Sequence, residues 1–523
     1  MVHKLLQKDP VYRYQSAKGV LYDLDSLSYQ KFSDTFRLAD RDFSSKLLIP
    51  QKLYDRSLDT TKLHFAFDRA CAHSLQVAFI KGLPGTGKSL LAHELLQSVT
   101  RKNGFFLHGK YEETTMTDPY SGIIAALNRF CKLILLDDSS TICYYRKKIL
   151  DAVGEEGRIL LDMVPLLQHI IGEQDQSIEV LGVMAKNRLY YVCCNFLRAI
   201  CTKDRPIVLL LDDLHRADED SFLFLSALLS DRCLKYLLFI GTYHSDKVDS
   251  SHPLTNIMNV IDQNKVCMNN IELENLSKEQ VNYLVSDTVN KSLMATLPLT
   301  ALVVETTSGN PFFVKEFLKA LERKGKLYFC AENLCWEWTI EKSVSEKILD
   351  NVLNLITDKI SAYESSMQKF LIHASFIGNP FNSNLLKLID DTDVDMDRMT
   401  NDGFITPHGT TNSFRFTHDY VRRAAFSMVP KENRDFTYFN IGNLLWKKSS
   451  EKEMQDNLFI VARMLNSSLH QLTLQERKDV AQLNYSAAEK CVLLTAFKPA
   501  LGFLECGIRL LNEDSWSSDY EFT

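Results

Sequence analysis

The run Gly82-Leu83-Pro84-Gly85-Thr86-Gly87-Lys88-Ser89 fits the pattern G-x-x-x-x-G-K-[ST] in full. In such a loop the glycines let the backbone bend until successive N–H groups face a β-phosphate, and the helix that follows adds positive potential. Lys88 then reaches the β- and γ-phosphates, and the Ser89 hydroxyl serves Mg²⁺. Gly82, Gly85, Gly87, Lys88, Ser89 and Leu90 are the candidate nucleotide contacts. A phosphate loop needs an acidic metal partner, and Ile207-Val208-Leu209-Leu210-Leu211-Asp212-Asp213 supplies one at the end of an apolar run. Asp212 is expected to hold Mg²⁺ through its water shell, making Ser89 and Asp212 the metal set. Asp213 is the candidate for orienting or deprotonating the attacking water, so the catalytic candidates are Lys88, Asp212 and Asp213. Its side chain is one methylene shorter than the glutamate often used there, which points to slow hydrolysis. Guanine readers carry N-K-x-D, whereas Asn264-Lys265-Val266-Cys267 lacks the final acid, so adenine and hence ATP is favoured.

These residues need a frame that brings two chain segments together. From Leu53 to about Leu276 the apolar runs Val77 to Ile80, Phe105 to Leu107, Ile207 to Leu211, Leu237 to Ile240 and Ile271 to Leu273 alternate with helical periods. That pattern predicts parallel strands buried on both faces, an α/β sheet. Beyond Ser277 the alternation gives way to leucine-rich helical spacing, as in Ile348, Val352, Leu355, Ile356 and Ile360. Asp390 to Asp397 reads as a solvated loop, and Val480 to Cys491 with Ala500 to Leu511 reads as a helical hairpin around Pro499.

A length of 523 residues implies several domains, at about 150 residues each. The net charge of −6 argues against broad attraction to nucleic acid or anionic lipid. No apolar run reaches the roughly 18 residues that cross a bilayer, so a cytoplasmic protein with no membrane partner is expected. The 12 cysteines lack the spacing of a disulfide framework or a zinc site, Cys330 and Cys335 included.

Further motifs follow in a telling order: Asp212-Asp213-Leu214-His215-Arg216-Ala217-Asp218, then Phe239-Ile240-Gly241-Thr242-Tyr243-His244, then Gly309-Asn310-Pro311-Phe312-Phe313, then Phe414-Arg415-Phe416-Thr417-His418-Asp419. This order resembles signal-transducing STAND-type ATPases, relatives of the origin-recognition AAA+ group, and most narrowly the ATPase segment of hybrid sensor histidine kinases. The resemblance implies an α/β P-loop NTPase with a parallel sheet of AAA+/STAND type, followed by a helical lid, a winged helix and α-helical TPR-like repeats. The implied domains are a remnant of a protein-kinase C-lobe at 1–29, a linker at 30–52, the ATPase core at 53–275, the lid at 276–340, the winged helix at 341–430 and the start of a TPR-like array at 431–523. It further implies that Pro311 sits over the adenine and that His418 reaches the β-phosphate of ADP. ATP and Mg²⁺ are then the cofactors, and signalling proteins are the partners, through the repeats or through flanking kinase modules. The whole is expected to act as a conformational switch in phosphorelay signalling, as a segment of a longer protein.

The chain departs from that pattern in three places. His244 stands where the family usually has an arginine that senses the γ-phosphate, Arg216 stands where tryptophan is common, and Asp55-Arg56-Ser57 replaces Gly-Arg-Glu. A neutral imidazole is a weaker phosphate partner than a guanidinium fork. No kinase Gly-rich loop, H-R-D or D-F-G occurs, so serine/threonine-kinase chemistry is not expected of these residues. His93-Glu94-Leu95 superficially resembles a histidine-kinase phosphoacceptor box but falls within the phosphate-loop helix, with no kinase ATP-binding motifs downstream, so histidine-kinase chemistry is not expected either. Two other readings compete. One is a DNA-binding AAA+ module using Arg415, Arg422 and Arg423; the other is a scaffold that nucleotide stabilises without turnover.

Overall fold

The computed structural model describes residues 1–7, 13–14, 17–28, 47–112, 118–175, 182–330, 333, 335–339, 352–390, 394–408 and 412–511. The apolar runs become strands β1 (Leu75–Gly82), β2 (Phe105–Lys110), β3 (Ile207–Asp212), β4 (Leu237–His244) and β5 (Cys267–Leu273). They lie in the order β2-β3-β4-β1-β5, every neighbouring pair parallel. β3 is buried along its whole length and β4 nearly so, as both faces are covered by helices. β5 is an edge strand whose first half, Cys267 to Asn270, is only partly covered and includes two asparagines, which is why only its apolar end stands out in the sequence.

Register decides what meets at the carboxyl ends. Gly82 of β1 lies opposite His244 of β4, and Leu211 of β3 lies opposite Gly241 of β4. The phosphate loop, the Asp212-Asp213 pair and His244 therefore all emerge at one edge, where α/β sheets bind ligands. Beneath them the core packs Phe79 and Phe239 of the sheet with Phe130, Phe196 and Phe224 of the covering helices Ser121–Leu135, Val183–Ile200 and Glu219–Leu229.

The chain divides into two compact units, one of residues 1–56, 84–87 and 274–355, the other of 57–83, 88–273 and 356–523. The first contains the helices Lys278–Val289, Leu293–Thr307 and Pro311–Arg323, packed around Val281, Val285, Val303 and Phe317. Ser277 starts this bundle with a reciprocal capping box to Gln280. The unit also contains a feature absent from the helical expectation, an antiparallel hairpin of β6 (Leu327–Cys330) and β7 (Cys335–Trp338) with Cys330 opposite Cys335.

The larger unit continues past the sheet with a small antiparallel sheet of β8 (Phe381–Asn382), β9 (Ile405–Pro407) and β10 (Ser413–Phe416), in the order β8-β10-β9, and then the helix Asp419–Ser427. Helices Lys431–Lys448, Glu451–Asp456, Leu458–Asn466, Leu474–Leu493 and Phe497–Leu510 complete it. The second half is thus mainly helical but carries short strands, none longer than 4 residues, too short for alternation to register.

Several expectations change in detail. The stretch Asp390 to Asp397 is not all loop: Asp395 accepts the Arg398 N–H and caps the helix Met396–Asn401, with Asp397 in its first turn, where a negative charge suits the helix dipole. Residues 391–393 of that stretch, 29–46 of the expected kinase-like remnant and linker, and 340–351 at the junction of lid and winged helix lie outside the described residues. The end of the linker is fastened, since Lys52 pairs with Asp287 at 2.6 Å. The final hairpin is longer than its apolar pattern, and Pro499 sits in the first turn of Phe497–Leu510, where a missing N–H costs nothing. Among the described residues no helix is long and apolar enough to cross a membrane.

The sheet meets its first covering helix with no room to spare, because a Cβ at Gly109 of β2 would stand 1.8 Å from the Gly122 carbonyl oxygen. Gly109→Ala is expected to destabilise the larger unit by about 3 kcal/mol. Gly502→Ala, with nothing within 4 Å of the added carbon, is expected to stabilise by about 0.5–1 kcal/mol. Thermal and urea melts of the two variants against wild type check both signs.

Candidate functional site

β1 ends at Gly82, and the helix Lys88–His93 begins with the motif lysine. Between them Gly85 and Gly87 take φ of 83° and 95°, the left-handed region that a side chain resists. Lys88 is only 6% exposed. Its ammonium donates to the carbonyls of Gly82 at 3.1 Å and Leu83 at 2.9 Å. Burial lowers its pKa, opposed by the charges of Asp213 and Asp212. The turn Pro84–Gly87 belongs to the smaller unit. There Asn310 donates to the Pro84 carbonyl at 2.9 Å, while its Oδ1 accepts the N–H groups of Phe312 and Phe313. A Cβ on Gly85 would stand 2.7 Å from that same Oδ1. Asn310 caps the helix Pro311–Arg323, with Pro311 at its first position.

In the larger unit, Ser89 Oγ donates to Asp212 Oδ2 at 2.6 Å, and Thr242 Oγ1 donates to Asp212 Oδ1. Thr242 is fully buried on β4, the strand between β3 and β1. Its oxygen also accepts the Asp213 N–H at 3.1 Å. One hydroxyl therefore orients both acids. Thr242 was visible only as part of a family-like motif; its role depends on strand order, which no local pattern carries.

Asp213 adopts a left-handed backbone, φ 57°, which a residue with a Cβ adopts at a cost. The bend aims its two oxygens apart, Oδ1 at His244 Nε2, 3.3 Å away, and Oδ2 at Lys110 Nζ, 3.5 Å away. Burial favours its protonated form, but His244 and Lys110 outweigh that and hold its pKa well below the usual carboxylate range. His244 stacks on His215 with ring centroids 4.1 Å apart. Burial first, and His244 next, push the His215 imidazole down to about 3, so it is neutral at ordinary pH.

A second layer of charge joins the sheet to the C-terminal part of the same unit. Lys110 lies 3.7 Å from the buried Glu112, and Arg216 pairs with Asp419 at 2.9 Å. Arg422 lies 3.5 Å from the other Asp419 oxygen and donates to the Ser375 carbonyl at 3.4 Å. Arg422 is 4% exposed, which corrects its expected place on a DNA-facing surface: its charge is turned inward to Asp419. His418 caps the helix Asp419–Ser427, its Nδ1 accepting the Tyr420 N–H at 3.2 Å. Burial, then Lys110, pushes it down to about 4, and Asp213 and Lys88 are within electrostatic reach.

Residues near the expected base contribute to the smaller unit. Arg56 donates to the Glu274 carbonyl, Asp55 accepts from Gln280 at 2.9 Å, and Tyr54 donates to Asp287 at 3.0 Å. The stretch that departs from Gly-Arg-Glu is thus tied to the helix Lys278–Val289.

Residues 52–240 match the family described as AAA ATPase domain. Over 98% of its length the chain is 24% identical to hybrid signal transduction histidine kinase G of Dictyostelium discoideum, of which it spans 19%. It is 20% identical over 60% of its length to the peroxide stress-activated histidine kinase mak2 of Schizosaccharomyces pombe, spanning 14% of that protein. The chain therefore spans about a fifth or less of the length of these curated relatives. Among solved structures, the STAND protein with a tetratricopeptide repeat sensor from Pyrococcus horikoshii aligns over 91% of this chain and 62% of its own, at 14% identity and a TM-score of 0.46. Residues 52–240 are thus similar to AAA ATPase domains, and the chain is similar to the corresponding part of signalling histidine kinases.

Glu112 gives the site a pH signature. Burial raises its carboxyl to about 7, against the pull of Lys110. The folded chain thus keeps a proton that the unfolded chain releases near 4.5. This group's contribution to stability is present below pH 4.5 and is lost as pH rises through about 7. Glu112→Gln is expected to flatten the fall of urea midpoint with pH across that window, a comparison made by denaturation at a series of pH values.

Proposed function

We propose that this chain is a Mg-ATP-binding, slowly hydrolysing signalling ATPase of STAND type, acting as a conformational switch in phosphorelay signal transduction as one segment of a hybrid histidine kinase. The observation that carries the reading is the convergence of Lys88, Ser89, Asp212 and Thr242 at the carboxyl edge of the parallel sheet. Ser89 Oγ and Asp212 Oδ2, 2.6 Å apart, form an all-oxygen donor pair of the kind hard Mg²⁺ takes. Bound there, the ion would neutralise charge between β- and γ-phosphate oxygens. Lys88 would exchange its carbonyl partners for phosphate oxygens, and Asp213 would orient the attacking water. Gly82, Gly85, Gly87 and Leu90 complete the proposed nucleotide contacts.

Slow turnover follows from the state of Asp213. Its oxygens already face His244 and Lys110, and a carboxylate held this far toward its ionised form is a weak base. The same observation favours, as second reading, a nucleotide-stabilised scaffold without turnover. The DNA-binding reading loses support with Arg422 turned inward.

For the switch, we assign 276–340 as lid, 341–430 as winged helix and 431–523 as the start of a TPR-like array, with the core at 53–275 and the kinase-like remnant at 1–29. The antiparallel β8-β10-β9 sheet beside the helix Asp419–Ser427 supports the winged-helix assignment. His418, neutral and under the influence of Lys110 and Lys88, suits a β-phosphate contact, and Pro311 an adenine contact. Such contacts, made with ADP and altered by ATP, are the differential affinity a switch requires. Signalling proteins would engage through the repeats or the modules that the longer relatives carry.

Lys88→Ala is expected to weaken ATP binding about tenfold to a hundredfold, the loss of one charge-assisted contact of roughly 1.5–3 kcal/mol. Equal affinity in isothermal titration would sink the proposal. Asp213→Asn is expected to lower the already slow phosphate release at unchanged ATP affinity, and release equal to wild type would remove Asp213 from the chemistry and favour the scaffold.

A further inference from the structure

Three ligand-type side chains gather just beyond β3 and at the end of β4. Asp213, His215 and His244 each present one ligand atom, and these atoms lie within 4.8 Å of one another. Asp213 and His244 are buried and His215 is half-buried. The separation of Asp213 Oδ1 and His244 Nε2, 3.3 Å, equals the edge of a tetrahedron whose bonds are roughly 2.0–2.1 Å, the length of zinc bonds to nitrogen and carboxylate oxygen. Lys110 faces the other oxygen of the same carboxylate, so a cation at Oδ1 leaves that ion pair in place. His215 Nδ1 accepts the His244 N–H at 3.4 Å, a long bond.

We propose that Asp213, His215 and His244 form a binding site for a borderline transition-metal dication of the zinc class, separate from the Ser89–Asp212 pair. Imidazole nitrogens suit zinc, cobalt or nickel, whereas magnesium takes oxygen donors and keeps its waters. Two histidines and one carboxylate are a known zinc-binding set with a fourth position for water or a phosphate oxygen. The bound ion engages Asp213 and so opposes hydrolysis. That consequence rests on the ATPase reading; the binding itself does not.

The test uses the full chain, stripped of metal by a chelator and free of nucleotide, titrated with Co²⁺ as a visible-absorbance probe. Four-coordinate Co²⁺ with imidazole ligands absorbs strongly, and an octahedral all-oxygen site absorbs weakly. The expected result is strong, saturable bands at one Co²⁺ per chain, abolished by Zn²⁺, retained in excess Mg²⁺, and lost in both His244→Arg and His215→Gln. Bands absent from wild type, unchanged in the variants or displaced by Mg²⁺ would overturn the site. Circular dichroism identifies a variant that has failed to fold, and the other then decides. With no nucleotide present, the outcome is independent of whether ATP binds.

Discussion

One carboxylate holds the edge of the sheet together. Asp212 accepts Ser89 on one oxygen and Thr242 on the other, tying the phosphate-loop helix, β3 and β4 at a single point. The three segments are distant in sequence, and only the strand order that places β4 between β3 and β1 lets them meet. An unpaired acid here would be expensive, since Asp212 is 6% exposed. Its two hydroxyl partners make the site tolerable to the fold before any ligand arrives.

Outward from that point the charges alternate. Asp213 faces Lys110, and Arg216 and Arg422 share Asp419. In a poorly solvated region each member depends on its neighbour, because removing one leaves the next buried and uncompensated. The Arg216–Asp419 pair links the loop after β3 to the helix that follows the small antiparallel sheet, within one compact unit. Close by, the His244 imidazole and the Lys110 ammonium divide the Asp213 carboxylate between them.

What the sequence made legible was what depends on composition and short spacing. The five apolar runs fell inside the five sheet strands, because burial on both faces forces uninterrupted apolar stretches. The phosphate loop was legible because its glycines answer a backbone demand, visible in the φ of Gly85 and Gly87. Thr242 and Asn310 lie inside legible motifs, yet their roles do not show there, since one acts across strand order and the other through a helix cap. The short strands β6 to β10 lacked the length for a period to show. The burial of Arg422 is not legible because a charge in a basic run gives no hint that it turns inward to Asp419, three residues earlier on the same helix.

The grip of Asn310 on the Pro84–Gly87 turn has a consequence for cooperativity. By its packing the turn is part of the helical unit that contains Asn310, although its neighbours in sequence, Leu83 and Lys88, belong to the larger unit that holds the sheet. Local opening proceeds in packed units rather than in sequence order. The amides of the turn should therefore exchange with solvent on the schedule of the helix Pro311–Arg323, while those of β1 keep the schedule of the sheet. The phosphate loop is thus divided between two compact units, with boundaries before Pro84 and before Lys88.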